Sequence, residues 1–280
     1  MHSLSLPPGG SLSRTELFLR IAGWPVAVEA PEAGALGRLF SRFVVSRDVA
    51  GEEVARLRAV PPAELRPEPS TRTLPRTSRL EGGGVGLAGE DYEATLSADG
   101  RQAHVVGRGR FPIETVLKVM LARALARRGG LLVHGVAVAH QGRAALFTGH
   151  SGAGKSTLGA LWGQAGGQVL ADELVAVWPE AGGGWRAAGT PWNVGQPVEA
   201  RLTAVGTLAW DAASRWEVQP AGEVGRMLLL NALLPEATPA GRGGLLAAAG
   251  RLLSEVAPVR LVFARDASVA TAIQGALGHG

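Results

Sequence analysis

Cysteine is absent from the 280 residues, which excludes disulfides, thiolate nucleophiles and Cys-based metal sites and suits a reducing compartment. Tyrosine occurs once, at Tyr92. Almost nothing therefore titrates between neutrality and arginine, and a pI near 10.5 coexists with a net charge of only +4. Such basicity is weak evidence for nucleic acid, and no nucleic-acid partner is expected. No apolar run approaches the roughly 18 residues needed to cross a bilayer, and the N-terminus lacks a basic stretch followed by an apolar one. No membrane partner is expected, and the location expected is cytoplasmic. Lysine is scarce, since of 28 basic residues only Lys118 and Lys155 are lysines. What remains, 46% apolar and 19% charged, is an ordinary globular composition whose length suits one large domain or two small ones.

One of the two lysines stands in GHSGAGKST, Gly149 to Thr157. Gly149 and Gly154, separated by four residues and followed by Lys155 and Ser156, make a complete P-loop. Backbone N–H groups converge on phosphate oxygens only where side chains are absent and φ can turn positive, which Gly149, Gly152 and Gly154 permit. Lys155 supplies a point charge for the β and γ phosphates, Ser156 a hydroxyl for Mg²⁺, and the helix starting there aims its N-terminal N–H groups at the anion. The expected nucleotide contacts are Gly149, His150, Ser151, Gly152, Ala153, Gly154, Lys155, Ser156 and Thr157, with His150 shaping the loop. From this chain's own composition, chance gives the pattern in about one such sequence in a few hundred.

The surroundings agree. Leu131 to Ala139 and Ala144 to Thr148 read as strands joined by HQGR and leading into the loop, and Lys155 to Ala165 reads as a helix stopped by Gly166-Gly167. Strand Gln168 to Ala171 follows, with Asp172 and Glu173 placed where a strand ends. Further apolar stretches fall at Leu174 to Trp178, Trp185 to Ala188 and Leu202 to Trp210, helical patterns at Val224 to Leu234 and Leu245 to Val256, then strand Arg260 to Ala264 and helix Ser268 to Leu277. Upstream, Glu16 to Ala30 reads as extended and Leu36 to Val45 as helical. Pro61, Pro62, Pro67, Pro69 and Pro75 mark a loop. Asp99-Gly100 turns a hairpin between Tyr92 to Ser97 and Gln102 to Val106, and Ile113 to Arg128 is a helix ended by Gly129-Gly130. The basic excess at Arg101, Arg108, Arg110, Lys118, Arg123, Arg127 and Arg128, opposed by Glu114, reads as a solvated helix face or a partner-facing patch. The pattern is α/β.

The segment Leu131 to Trp178 resembles the catalytic core of bacterial HPr kinase/phosphorylase and HPr-kinase-like proteins. The resemblance rests on His134-Gly135, the loop form G-x-S-G-x-G-K-S, Gly166, and the step Ala171-Asp172-Glu173. Gly189 to Trp192, GTPW, resembles a step in shorter HPr-kinase-like proteins of peptide-tailoring clusters, and Val224-Gly225-Arg226 resembles a family Val-Gly-Arg. The resemblance implies a P-loop nucleotide-binding domain of the HPr kinase and phosphoenolpyruvate carboxykinase-like type over 111–280, preceded by a smaller α+β N-terminal region over 1–110. It also implies that the second acid deprotonates a seryl hydroxyl. Here that acid is Glu173 where HPr kinases carry Asp, so the carboxylate reaches one methylene further, and residues 1–110 do not look like the N-terminal domain of the HPr enzymes.

The expected activity is transfer of the γ-phosphoryl group of Mg-ATP to a Ser or Thr hydroxyl of a protein or peptide. Lys155, Asp172, Glu173 and His134 form the catalytic set, with Ser156 and Asp172 holding Mg²⁺. Each role has a plainer alternative: His134 as a hydrogen-bonded core histidine, Arg226 as a surface arginine rather than a charge neutraliser, Trp192 as packing rather than a pocket wall. A small-molecule kinase, a carboxykinase-like enzyme and a non-catalytic nucleotide-gated binding module remain open, as does homo-oligomerisation.

Overall fold

The computed structural model describes residues 15–48, 53–64 and 75–278. Pro67 and Pro69 of the proline-marked loop lie outside them. A first, 7-stranded sheet comprises β1 (Thr15–Ile21), β2 (Trp24–Ala30), β3 (Ala55–Val60), β4 (Arg76–Arg79), β5 (Val85–Ala88), β6 (Glu93–Leu96) and β7 (Gln102–Val106), in the order β1-β2-β3-β7-β6-β5-β4. Its opening hairpin turns on Ala22 and Gly23, φ 51° and 72°. Two positive values in succession are what a tight hairpin needs to match strand twist. Asp99-Gly100 turns the hairpin β6–β7 as expected, with Gly100 at φ 62°. Helix α1 (Ala33–Leu39) is shorter than the apolar spacing suggests, and a 3₁₀ turn at Ser41–Phe43 follows it.

Helix α2 (Arg110–Arg127) joins the two halves. Ile113, Val116, Leu117, Met120 and Leu121 are all at most 1% exposed, the stripe that 3.6-residue periodicity requires. Gly129 at φ 72° ends it, and the Gly130 N–H returns to the Leu125 carbonyl at 2.8 Å. This helix shares an apolar core with the first sheet and with Leu132, Leu174, Ala176, Trp178 and Trp192 from beyond it. The basic residues are not simply a solvated face. Arg123 is 4% exposed and donates to the Ala98 carbonyl at 2.8 Å, Arg128 donates to the Ala22 carbonyl at 3.1 Å, and Lys118 pairs with Glu173. These cations stitch the halves together because half-buried carbonyls and a carboxylate across the joint need donors.

The second, 8-stranded sheet comprises β8 (Leu131–His140), β9 (Arg143–Thr148), β10 (Gln168–Pro179), β11 (Trp185–Ala188), β12 (Val194–Gly195), β13 (Glu199–Trp210), β14 (Arg215–Val218) and β15 (Ala257–Phe263). The order is β11-β10-β8-β9-β13-β15-β14, with β12 on β10. Strand β11 also pairs with β13, so β11, β10, β8, β9 and β13 form a closed circuit around Val133, Leu146, Val175, Trp185, Leu202 and their neighbours. Helix α3 (Lys155–Gln164) and α6 (Ser268–Gly278) share a core with β8, β9 and β15. Helices α4 (Ala221–Asn231) and α5 (Pro239–Glu255) cover the circuit's apolar residues. In α5, Thr238 caps the N-terminus by accepting the Gly241 N–H at 3.0 Å, with Pro239 in the first turn.

One expectation is corrected. Asp172 and Glu173 do not end a strand, because β10 runs unbroken from Gln168 to Pro179 with one irregularity between Val169 and Ala171. Two adjacent carboxylates survive mid-strand since each has somewhere to go: Asp172 against α3, Glu173 onto a lysine. No helix among the described residues is long and apolar enough to cross a membrane.

Candidate functional site

Strand β9 stops at Thr148, the glycine loop spans 149–154, and α3 begins at Lys155. Gly152 and Gly154 have φ of 82° and 102°, and Gly149 does not turn positive. Its lack of a side chain serves closeness instead, since an added Cβ would sit 3.1 Å from the Ala153 methyl. At Gly154 a Cβ would lie 2.6 Å from the Trp210 ring, so that position is doubly reserved for glycine. The His150 ring nitrogen Nδ1 lies 2.7 Å from the Ser151 carbonyl, a contact within the loop.

The loop curls around its own lysine. Lys155, 8% exposed, donates from Nζ to the Gly149 carbonyl at 2.9 Å and to the His150 carbonyl at 3.1 Å. Burial lowers its pKa from the ordinary lysine value, and the Asp172 carboxylate acts in the opposite direction. Ser156 and Thr157 follow in the first helical turn, with Ser156 exposed and Thr157 half-buried.

Asp172 is 8% exposed and rests on Gly159 of α3, where an added Cβ would lie 3.8 Å from its own Cβ. Its main-chain carbonyl accepts from Asn193 Nδ2 at 2.8 Å. Its carboxylate has no hydrogen-bond or ion-pair partner among the described residues. A buried carboxylate without a close partner calls for a cation. Among the described residues no three His, Asp or Glu side chains converge as a metal cage. Mg²⁺ needs no such cage, as it typically takes one or two carboxylates with substrate phosphates and water.

Glu173 parts company with Asp172, as successive strand residues do. Its Oε1 accepts from Lys118 Nζ at 3.2 Å, and that ammonium also lies 5.4 Å from the centre of the Trp192 ring. His134, paired with Leu174 across β8 and β10, is exposed. Its pKa is lowered by desolvation and by Lys155, against Glu173, a hydrogen bond with Asn231, and Asp172. The ring is thus neutral at physiological pH and can accept or donate one hydrogen bond. Glu173, His134 and Lys118 share the wall of a cavity of about 970 Å³. Its other walls come from β4 and β5, from α2, and from the segment Ala232 to Thr238.

The structure thus brings Lys155, Asp172, Glu173 and His134 near one another, around the middle of β10 and the stretch of β8 that faces it. It leaves Arg226 exposed on α4 and outside the cavity walls. Trp192 is packing: 3% exposed, edge-on to Phe40 at 6.2 Å and 76°. Sequence reasoning missed Lys118 as a site residue. Its scarcity was a signal, for both lysines of the chain contact or flank the paired acids.

No family model matches the chain, and no curated protein matches it. Among solved structures, the HPr(Ser) kinase/phosphatase from Coxiella burnetii aligns with 52% of this chain and 95% of its own, at 11% identity and a TM-score of 0.31. A likeness that slight decides neither fold nor activity.

Proposed function

We propose that this protein is an HPr-kinase-like phosphotransferase that binds ATP with Mg²⁺ and transfers the γ-phosphoryl group to a Ser or Thr hydroxyl of a protein or peptide. The observation that carries the reading is the meeting of a strand–glycine loop–helix junction, holding a buried lysine, with two acids on β10, which β8 separates from β9. One acid faces the helix and the other the cavity. The sequence pattern of His134-Gly135, the loop and Ala171-Asp172-Glu173 supports the same reading.

The loop N–H groups and the start of α3 would cradle the phosphates. Lys155 leaves the Gly149 and His150 carbonyls for the β and γ phosphates, an exchange favoured because a polyanion offers an ammonium more than two carbonyls do. Ser156 and Asp172 would hold Mg²⁺, which would supply charge neutralisation to the reacting phosphates. The acceptor hydroxyl enters from the cavity. Its oxygen forms the new bond to the γ phosphorus, its proton passes to the Glu173 carboxylate, and ADP leaves with the electron pair of the broken P–O bond. His134, neutral, hydrogen-bonds the phosphoryl oxygens or the acceptor.

The test has two stages. Titration calorimetry with ATP and Mg²⁺ should give saturable heat, and incubation with γ-labelled ATP and cell lysate should label an acceptor with the wild type and not with Asp172→Ala. Heat without any transfer would instead favour a nucleotide-gated binding module. Absence of heat with both adenine and guanine nucleotides would remove the reading altogether.

A further inference from the structure

Strand β4, with sequence RTSR, is the last strand of the first sheet, and no strand among the described residues pairs with its outer edge. It pairs with β5 as Arg76 with Ala88, Thr77 with Leu87, Ser78 with Gly86 and Arg79 with Val85. The Leu80 N–H continues this ladder to the Gly84 carbonyl at 2.9 Å. Hydrogen-bonded and non-hydrogen-bonded pairs alternate along an antiparallel ladder. Arg76 and Ser78 therefore share the bonded set with Leu80, and the main-chain groups of Thr77 and Arg79 turn outward. Those outward groups have no partner among the described residues.

The open edge borders the cavity that holds Glu173 and His134. Thr77, Ser78 and Arg79 are consecutive, yet all three line it. Side chains of successive strand residues point to opposite faces, so Thr77 and Arg79, opposite Leu87 and Val85, set the cavity over one face of the β4–β5 pair, and the outer edge of β4 borders that face. The same strand carries Arg76 and Arg79, both exposed and without an ion-pair partner among the described residues.

Resting on the phosphotransferase reading, we propose that the acceptor is an extended, acidic peptide segment that adds to the free edge of β4 as an extra strand and so brings its hydroxyl along the cavity to Glu173. Main-chain bonds to Thr77 and Arg79 supply affinity that a compact alcohol cannot collect, and the cavity selects among side chains. Arg76 and Arg79 select for carboxylates beside the Ser or Thr.

The test uses the full chain, γ-labelled Mg-ATP and an arrayed library of decapeptides, each with one central Ser or Thr and varied flanking charge. Acidic peptides should be phosphorylated preferentially. With the best of them, Thr77→Pro removes one outward N–H while leaving the β4–β5 bonds, a change that sheet edges tolerate. It should raise KM tenfold or more with kcat little altered, whereas Thr77→Ala should match the wild type. N-methylation of alternate peptide amides, read with the wild-type protein, should abolish transfer in one register and spare it in the other, so the conclusion does not depend on the proline variant folding. A double Arg76→Glu, Arg79→Glu variant should shift the preference towards basic peptides. Peptides accepted equally well after Thr77→Pro and after N-methylation in both registers would overturn strand addition. So would failure to label any library peptide, or labelling of small alcohols instead, in a protein that binds Mg-ATP by calorimetry. Failure of nucleotide binding would be a different result, removing the site's reading together with this one.

Discussion

Arg123 Nη1 lies 2.5 Å from Glu236 Oε1, which ties the helix that joins the two halves to the segment Ala232 to Thr238. Arg123 is 4% exposed, and its other terminal nitrogen donates to the Ala98 carbonyl. Glu236 belongs to the segment that walls the cavity. Breaking such a pair from the buried side leaves the Glu236 carboxylate without its counter-charge and the Ala98 carbonyl without its donor. Arg123→Ala should cost about 3 kcal/mol, the low end because Glu236 is itself partly exposed. Urea denaturation is the check, and an unchanged midpoint would mean that the pair pins nothing.

Lys155 should separate stability from activity. Its ammonium is buried and its pKa lowered chiefly by desolvation, so the charged form is tolerated in the fold rather than preferred. A depressed pKa contributes stability above the unfolded value, and this is lost as pH falls through the folded one. Across the neutral range the charge therefore weighs against folding. Lys155→Met should keep or raise the melting temperature at neutral pH while lowering phosphoryl transfer about a hundredfold or more. A fall in both together would make the lysine a structural residue.

Glu114, one turn before Lys118 on α2, has its carboxyl pKa raised by desolvation, against the pull of Arg110 and Lys118. A raised folded value gives stability that is complete below the unfolded carboxylate pKa and is lost as pH rises through the folded one. Glu114→Gln should accordingly be more stable than the wild type at neutral pH. The advantage should shrink as pH falls below the ordinary carboxylate range. Chemical denaturation at several pH values would show it, and a pH-independent difference would count against the burial argument.

Lys118 should act as a positioning residue, through Glu173 rather than on substrate. Lys118→Met frees the carboxylate that the 3.2 Å pair holds against the cavity wall. Transfer should drop about tenfold, of the order of one charge-assisted hydrogen bond, with nucleotide affinity unchanged. Lys118→Arg should recover most of the rate. Steady-state kinetics beside calorimetry separates the two effects.

How much of this could be read before folding differs from element to element. The junction of β9, loop and α3 was legible because its residues are local and each backbone demand falls on a glycine. Helix α2 was legible because its stripe keeps helical spacing. Asp172 and Glu173 read as a strand end because charge usually leaves a sheet there, and only the arrival of α3 and of Lys118, 55 residues earlier in the chain, lets β10 continue through them. The short strand β3 carried a two-residue alternation, Ala55, Leu57 and Ala59 buried between exposed arginines, which sequence reasoning passed over. The open edge of β4 lay beyond any local pattern, since an edge is defined by the neighbour a strand lacks. The division at residue 110 is a sequence reading that meets a continuous core across α2.

The second pairing of β11 has a mechanical meaning. A ring of strands in which every member is held on both sides resists shear, because sliding one strand would break ladders all the way round. The separation between the root of the glycine loop at Thr148 and the acid at Asp172 is thus set by strands that cannot slide singly. On the proposed function, adjustment to a nucleotide or acceptor would fall to the loop itself and to the stretch Leu234 to Thr238, beyond the Leu233 bond to Leu132, whose amides should exchange with deuterium well before those of the ring.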